Sequence, residues 1–524
     1  MPFLVVWQLA WVVGTAPPLN AAEPLQADVA QVATVEELWR GYDPTALPLD
    51  LEPIRAWDEG DVQLQSLRLT GEIVDGVPVR VYAVQGAPRT GSRLPGVLHI
   101  HGGGQTASVD WVRYWGRRGY VCVTFDFCGK WEQRTEYTDW GPLKQGNMAQ
   151  ASGGFQLRPT VRESSWFHWT LVSRRALTLL SQHPQVDPNR LGIFGISVGG
   201  TLTWMVAGVD ARVRAAVPIY GCGYNYDRRN ERWGLLVANA DYNLFQKLLG
   251  PEAYAPSVRC PVLFLSATND GHGLMDRAYD ALGATQAPKW QAISPRTDHH
   301  VDPREGRTLP LWMDWQLKGA APVPGSPKMR VTLNPAGEPT AEIECEQEDQ
   351  VTDVAVYYAL GDERPQIRFW RSARGDRMGP SWRGTLPVLD AWDDLFAFAN
   401  VTYMSGACLT TNLVHVIPAQ LGRARESLVW RAAWEQGESP LSHWKFHGAY
   451  TDPNLDWTHL VYSNEEPVGP TVGFALAHLG DPVPVKLYTH LIGDPQYHGR
   501  PGDRLSFAVR GEFTADGLKL TVIE

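Results

Sequence analysis

Between residues 60 and 320 the chain alternates short apolar runs with longer stretches of helical period. "VQLQSLRLTGEI" and "VPVRVYAVQG" alternate polar and apolar positions with period two, and the "VDG" between them, with Asp75 and Gly76, predicts a hairpin. "GVLHIHGGG", "VCVTFDF", "LGIFGIS", "VRAAVPIYG", "CPVLFLSATND" and "KWQAISP" are continuous apolar runs of buried-strand type. Between them lie helical stretches: "WVRYWGRRGY", Arg162 to His183, "TLTWMVAGV", "LMDRAYDALGA" and finally "GRTLPLWMDWQLKG". Strands alternating with helices predict an α/β domain, a mostly parallel sheet with helices on both faces. Upstream, "ELWRGYDPTALPLDLEPIRAWDEG" reads as an irregular, proline-punctuated arm.

The pattern changes at "GAAPVPGSPKM", a linker rich in proline and glycine over residues 319–329. Strands and turns follow, among them "VAVYYALGDERPQIRFWRSA", "LFAFANVTYMSG" and "LSFAVRGEF", which predict two β-sandwich modules with a joint near residues 416–426. The expected organisation is a leader over 1–22, a catalytic domain over 23–320, a fibronectin-III-like sandwich over 328–416 and a jelly-roll-like one over 426–524. A chain of 524 residues is long enough for two or three domains.

The leader "MPFLVVWQLAWVVGTAPPLNAAEP" carries an apolar core, Phe3 to Val13, too short to span a bilayer, and small residues at Ala21 and Ala22. It predicts export to a secreted or periplasmic location, although no Lys or Arg precedes Arg40. No other run is long enough for a membrane helix. The net charge of -10, with no basic run, argues against nucleic acid and anionic membrane as partners. The six cysteines are scattered without C-x-x-C spacing, as for buried small side chains rather than a zinc or redox pair.

The chemistry concentrates in a few places. "GISVG" sets Ser197 between Gly195 and Gly199 where a strand turns into a helix, the context of a nucleophile elbow. In the order serine, acid, histidine, Asp270 follows the next apolar strand but one, and Asp276 and Asp280 compete from inside a helix. His299 and His300 in "SPRTDHHVDP" compete as the base, and His272 stands too close to Asp270 for that role. "HIHGGG" offers glycine amides at Gly103 and Gly104 which, with the amide of Val198 after the serine, would receive an oxyanion. A phosphate-binding loop would need a Lys-Ser/Thr that is absent. About forty residues after "TFDF" hold Trp131, Tyr137, Trp140 and Trp166, the wall of a cleft or a local aromatic cluster. Tyr224, Arg228 and Arg229 stand as a cap over the pocket or as surface residues.

By "HGGGQT", "VDPNRLGIFGISVGG", "VLFLSATND" and "DHHVDP" the chain resembles the α/β-hydrolase superfamily over about residues 40 to 320. Within it the chain is similar to the acetyl xylan esterase and dienelactone-hydrolase-like branch. It departs from the dienelactone hydrolases in carrying serine where they carry cysteine. The resemblance implies a serine esterase without metal or organic cofactor. Its base often follows an acidic residue and precedes an apolar one, a frame that favours His299. Together with 22 tryptophans it implies a small-molecule or polysaccharide ester as substrate, foremost an O-acetyl group on a carbohydrate, met by Trp131, Trp140 and Tyr224. The alternatives are a prolyl-oligopeptidase-type peptidase and a non-catalytic carbohydrate-binding or adhesion protein. Because no candidate catalytic residue lies beyond residue 320, a chain ending near Gly319 is expected, if it folds, to keep some activity on a small soluble ester.

Overall fold

The computed structural model describes residues 32–130, 134–145, 157, 160–223, 240–361 and 364–428, and beyond them 445–446, 460–463, 473–476, 487–488, 490 and 493–497. The leader, Trp131, the cap residues Tyr224, Arg228 and Arg229, and most of the 426–524 module lie outside the described residues.

The apolar runs form one sheet of nine strands: β1 (Glu52–Glu59), β2 (Val62–Val74), β3 (Val77–Pro88), β4 (Leu94–Ile100), β5 (Val121–Phe125), β6 (Val186–Ile196), β7 (Val213–Ile219), β8 (Val262–Ala267) and β9 (Lys289–Ser294). Their order is β1-β2-β3-β5-β4-β6-β7-β8-β9. From β5 through β9 neighbouring strands run parallel, and β1, β2 and β3 extend the sheet antiparallel. The sheet is therefore mixed and α/β-hydrolase-like. Every residue of β5 and β8 is buried, as continuous apolar runs covered on both faces require.

The helices are α1 (Val35–Trp39), α2 (Val109–Arg117), α3 (Ser165–Ser181), α4 (Val198–Val209), α5 (Ala240–Leu248), α6 (Pro251–Tyr254), α7 (Met275–Ala284), α8 (Pro303–Gly306) and α9 (Thr308–Lys318). Leu180 of α3 lies over Gly96, whereas Leu317 and Met313 of α9 lie over Gly192. Gly96 pairs with Leu191, the neighbour of Gly192, so by the period of two these helices cover opposite faces. The β2–β3 hairpin turns through Asp75 and Gly76 with φ of 51° and 77°, positive at both as a type I′ turn demands.

The upstream arm departs from the expectation of irregular chain: it contains α1 and the edge strand β1. Six of the eight β1 residues are exposed and the other two half-buried, so it never alternates polar with apolar, and its pattern conceals the strand.

Past the linker the strands are β10 (Lys328–Leu333), β11 (Pro339–Glu344), β12 (Val351–Leu360), β13 (Arg371–Arg374), β14 (Asp376–Met378), β15 (Ser381–Thr385), β16 (Leu395–Tyr403), β17 (Cys408–Thr410) and β18 (Val414–Val416). They make two antiparallel sheets, β10-β11-β15-β14 and β13-β12-β16-β17, with β18 also on β16. This half packs against the open edge of the large sheet at β9. Asn400 donates to the Ile293 carbonyl at 3.0 Å, and Thr308 Oγ1 exchanges hydrogen bonds with the Cys408 backbone at 2.9 Å. Capping that edge hides unpaired backbone groups from other chains. All six cysteines are free thiols, five of them buried. No helix among the described residues is long and apolar enough to cross a membrane.

Candidate active site

β4 lies between β5 and β6, and chain connections leave it in opposite directions there; in such sheets the crevice at the strands' carboxyl ends is where ligands bind. Ser197 stands at that edge as the single residue between β6 and α4. Its backbone has φ 60° and ψ -115°, a sparsely populated conformation for a non-glycine residue that costs on the order of 1–3 kcal/mol. The turn is tight enough that its flanks must be glycine. A Cβ on Gly195 would sit 2.2 Å from the Gly199 carbonyl oxygen, and one on Gly199 would sit 2.1 Å from that of Ile100. The Ser197 N–H donates to Ile219 at 2.9 Å, which ties the elbow to β7. Val198 opens α4, where the first backbone N–H groups have no partner within the helix.

The His101-Gly-Gly-Gly loop leaves β4 beside this elbow. A Cβ on Gly103 would lie 3.0 Å from Val198 Cγ2, so Gly103 and Val198 stand side by side. His101 is buried, stacked on Phe127 at 4.0 Å, and holds the loop's start: Nδ1 bonds the Gly102 carbonyl at 2.6 Å and Nε2 accepts from the Phe127 N–H at 3.2 Å. Burial lowers its pKa to about 3 against the opposing pull of the Gly102 carbonyl, so the imidazole stays neutral. Gly104 is held at both ends. Its carbonyl accepts from Arg134 Nη2 at 2.6 Å, and its amide lies against the Cys128 thiol, which burial pushes up to about 12. Of the two loop amides, Gly103 is the one set against Val198.

Arg134 also approaches Asp126, a buried carboxyl that accepts the backbone N–H groups of Cys128, Gly129 and Thr138. Burial raises Asp126 to about 6 although those amides and Arg134 oppose it. Sequence reasoning missed this brace, because a lone Asp and a lone Arg eight positions apart form no motif.

Asp270 follows β8 and His299 follows β9. Their loops are stitched together: the Thr268 N–H donates to Ser294 and the Asn269 N–H to Thr297. His299 Nδ1 lies 2.9 Å from Asp270 Oδ2, while its Nε2 is buried with no hydrogen-bond partner among the described residues. The His299 ring packs on Tyr220, at the end of β7, with centroids 4.3 Å apart. Burial of Asp270 would raise its pKa, but the charge interaction with His299 and the hydrogen bonds from His272 and His299 win and hold it well below the carboxylate range.

The competitors are otherwise engaged. His300 is buried with Nε2 3.4 Å from Asp302, Asp276 receives two bonds from Arg368, and Asp280 pairs with Arg277. The exposed His272 donates its backbone N–H to Asp270 Oδ1 at 2.8 Å. Asp270, His272 and His299 place potential metal-ligand atoms within 4.8 Å of one another, but both Asp270 oxygens are already taken up by hydrogen bonds. Of the two readings of the aromatic residues, cleft wall or local cluster, Trp140 and Trp166 follow the second. Trp140 is buried, its indole N–H on the Phe127 carbonyl at 3.2 Å, and Trp166 is buried against Trp169 and Phe245, so both are packing residues. Trp131 and Tyr224 lie outside the described residues.

Residues 53–248 match the acetyl xylan esterase family (AXE1). The match takes in the Gly-Gly-Gly loop and the Ser197 elbow and ends before Asp270. Among curated proteins the chain is similar to the acetyl esterase Axe7A of Xylanibacter ruminicola, 22% identical over 257 residues, which are 45% of this chain and 56% of that protein. The chain thus spans little more than half of that relative. Among solved structures it is similar to the acetyl xylan esterase from Paenibacillus sp. R4 (16% identity, 52% of this chain, 91% of that one, TM-score 0.43). It is also similar to acetyl xylan esterase 1 from Thermoanaerobacterium sp. JW/SL YS485 (19% identity, 53% and 90%, TM-score 0.43).

Proposed function

We propose that the chain is a serine carboxylic-ester hydrolase of the α/β-hydrolase fold that removes acetyl groups from a carbohydrate through an acyl-enzyme. The observation that carries this reading is the Asp270–His299 hydrogen bond, at the same sheet edge as the strained Ser197 turn. With Nδ1 donating to Asp270, His299 presents Nε2 as the acceptor for the serine proton. Ser197 Oγ attacks the ester carbonyl as His299 takes its proton. The Val198 and Gly103 amides receive the oxyanion, while the Gly104 amide, engaged by the Cys128 thiol, fixes the loop behind them. His299 then protonates the leaving alcohol, and water, activated by the same imidazole, releases the acid. The acetyl group and the carbohydrate come from the family match and the curated relative's name. The leader supports export, and the antiparallel sheets of 328–416 support a β-sandwich module beside the catalytic domain.

A panel of acetyl aryl esters, acetylated xylan and peptide anilides tests the substrate class, with acetate release as the readout. Activity on anilides alone would replace the esterase with a peptidase, and tight glycan binding without turnover would favour an adhesion protein. Ser197→Ala is expected to lose turnover by about 10⁴-fold or more and to lose labelling by a fluorophosphonate. Labelling at another serine in that variant would overturn the elbow assignment.

A further inference from the structure

The two loops that bear Asp270 and His299 do not rest on the α/β half alone. Asn269, next to the acid, reaches with its side-chain amide to the C-terminal half, where Nδ2 donates one hydrogen to the Arg368 carbonyl (2.7 Å) and shares the other between those of Pro365 and Gln366 (both 3.2 Å). Its Oδ1 accepts from Thr268 Oγ1 at 2.6 Å, and that hydroxyl accepts from the Arg296 N–H at 2.7 Å. Arg296, three residues before His299, is buried in a left-handed backbone conformation, φ 60°. Its guanidinium donates to the Trp370 carbonyl and to Ser372 Oγ and lies over the Phe369 ring. Arg368, wholly buried, places both Nη atoms on Asp276, in the first turn of the helix that follows Asp270. One short stretch, 365–372, thus holds the acid loop, the base loop and the helix between them.

Buried arginines and amides aimed at backbone carbonyls are expensive to desolvate and are poor devices for stability alone, since apolar contacts would serve as well. They fix position and direction. We propose that segment 365–372 of the C-terminal β half is a positioning element of the active site, which sets the distance and angle between Asp270 and His299. The proposal rests on the Ser197–His299–Asp270 reading above. Asn269 and Arg296 are positioning residues: neither touches substrate, and each acts through the loop it anchors. Arg371 extends the brace, since it pairs with Asp494 and Gln496 in the last described stretch.

The test uses the full chain with Asn269→Ala, Arg296→Lys and Ser372→Ala, and Val356→Ala as a control. Val356 is buried in β12 and its side chain has no polar atom to bond the loops, so truncating it lowers Tm through packing alone. At a temperature well below every Tm, Asn269→Ala is expected to cut kcat on an acetyl aryl ester by about 10- to 100-fold, with KM moving less than about threefold. Fluorophosphonate labelling of Ser197 should slow in proportion. Arg296→Lys and Ser372→Ala keep part of the network and should show smaller losses of the same kind, about three- to tenfold. Should Asn269→Ala fail to fold, those two milder variants carry the test. Unchanged kcat in the folded clamp variants, or an equal loss in Val356→Ala, overturns the proposal. Turnover that survives Ser197→Ala in the otherwise unaltered chain would instead overturn the triad reading, so the two failures are distinguishable.

Discussion

Two adjacent histidines compete for one role, and their surroundings differ sharply. His299 has one nitrogen on a buried carboxylate and the other without a partner among the described residues, whereas His300 is turned inward toward Asp302. The loop bends between them, the His300 N–H closing on the Asp298 carbonyl at 2.6 Å, and the two rings are sent to different carboxylates, of which only that of Asp270 belongs to the candidate site. His299→Ala is expected to lower kcat by at least about a thousandfold, and His300→Ala far less. Steady-state kinetics of both variants decides the matter, and the reverse order would move the base to His300. At this scale the sequence was informative because the chemistry is local: Ser197 and Asp270 each stand just past a strand end, and His299 in the loop after one. It was silent about Asn269, Arg296 and Arg134, whose side chains donate to carbonyls 30 to 99 residues away that form no pattern along the chain.

Strand β4 runs through the middle of the sheet and carries two buried imidazoles at its carboxyl end, His99 and His101. His99 bonds Thr124 Oγ1 at 3.0 Å, and burial lowers its pKa well below the imidazole range. His101 stays neutral down to about pH 3, whereas an unfolded histidine takes its proton near pH 6.5. Between these values the unfolded chain binds protons that the native strand refuses. Stability is therefore full above about pH 6.5 and falls as the pH drops toward 3, by up to about 1.4 kcal/mol per pH unit for each such group. Denaturant midpoints from pH 7 to pH 4 should fall accordingly, and His101→Gln should flatten the slope even if it costs stability at pH 7. An unchanged slope would mean that His101 takes up its proton at the same pH in the native and unfolded states. Among the elements, the buried strands were legible from their apolar runs, and β1 was not, because an exposed edge strand has no buried face to write into the sequence.

For the molecule as a whole, the junction at residues 319–329 reads as a linker between independent parts, and from sequence a chain ending near Gly319 should, if it folds, keep some activity. The contacts set a stricter expectation. Such a chain would strip Asn269, Gln291, Arg296 and Thr308 of partners and uncover the β9 edge. It is expected to be insoluble, or soluble with kcat reduced by about 10-fold or more. A folded 1–319 chain with full activity on an acetyl aryl ester would restore the independent-domain view.

The spacing of those contacts has a consequence for how the protein is made. The Asn269–Arg368 and Thr308–Cys408 bonds join residues 99 and 100 positions apart. Synthesis runs from the amino terminus, and domains tend to fold as they emerge. A nascent chain that has completed the acid loop still lacks the carbonyl that seats Asn269 until Arg368, 99 residues further on, has left the ribosome and folded. On the proposed reading the nucleophile is then built well before its proton relay is seated, so activity would arrive late, as one of the last properties the growing chain acquires.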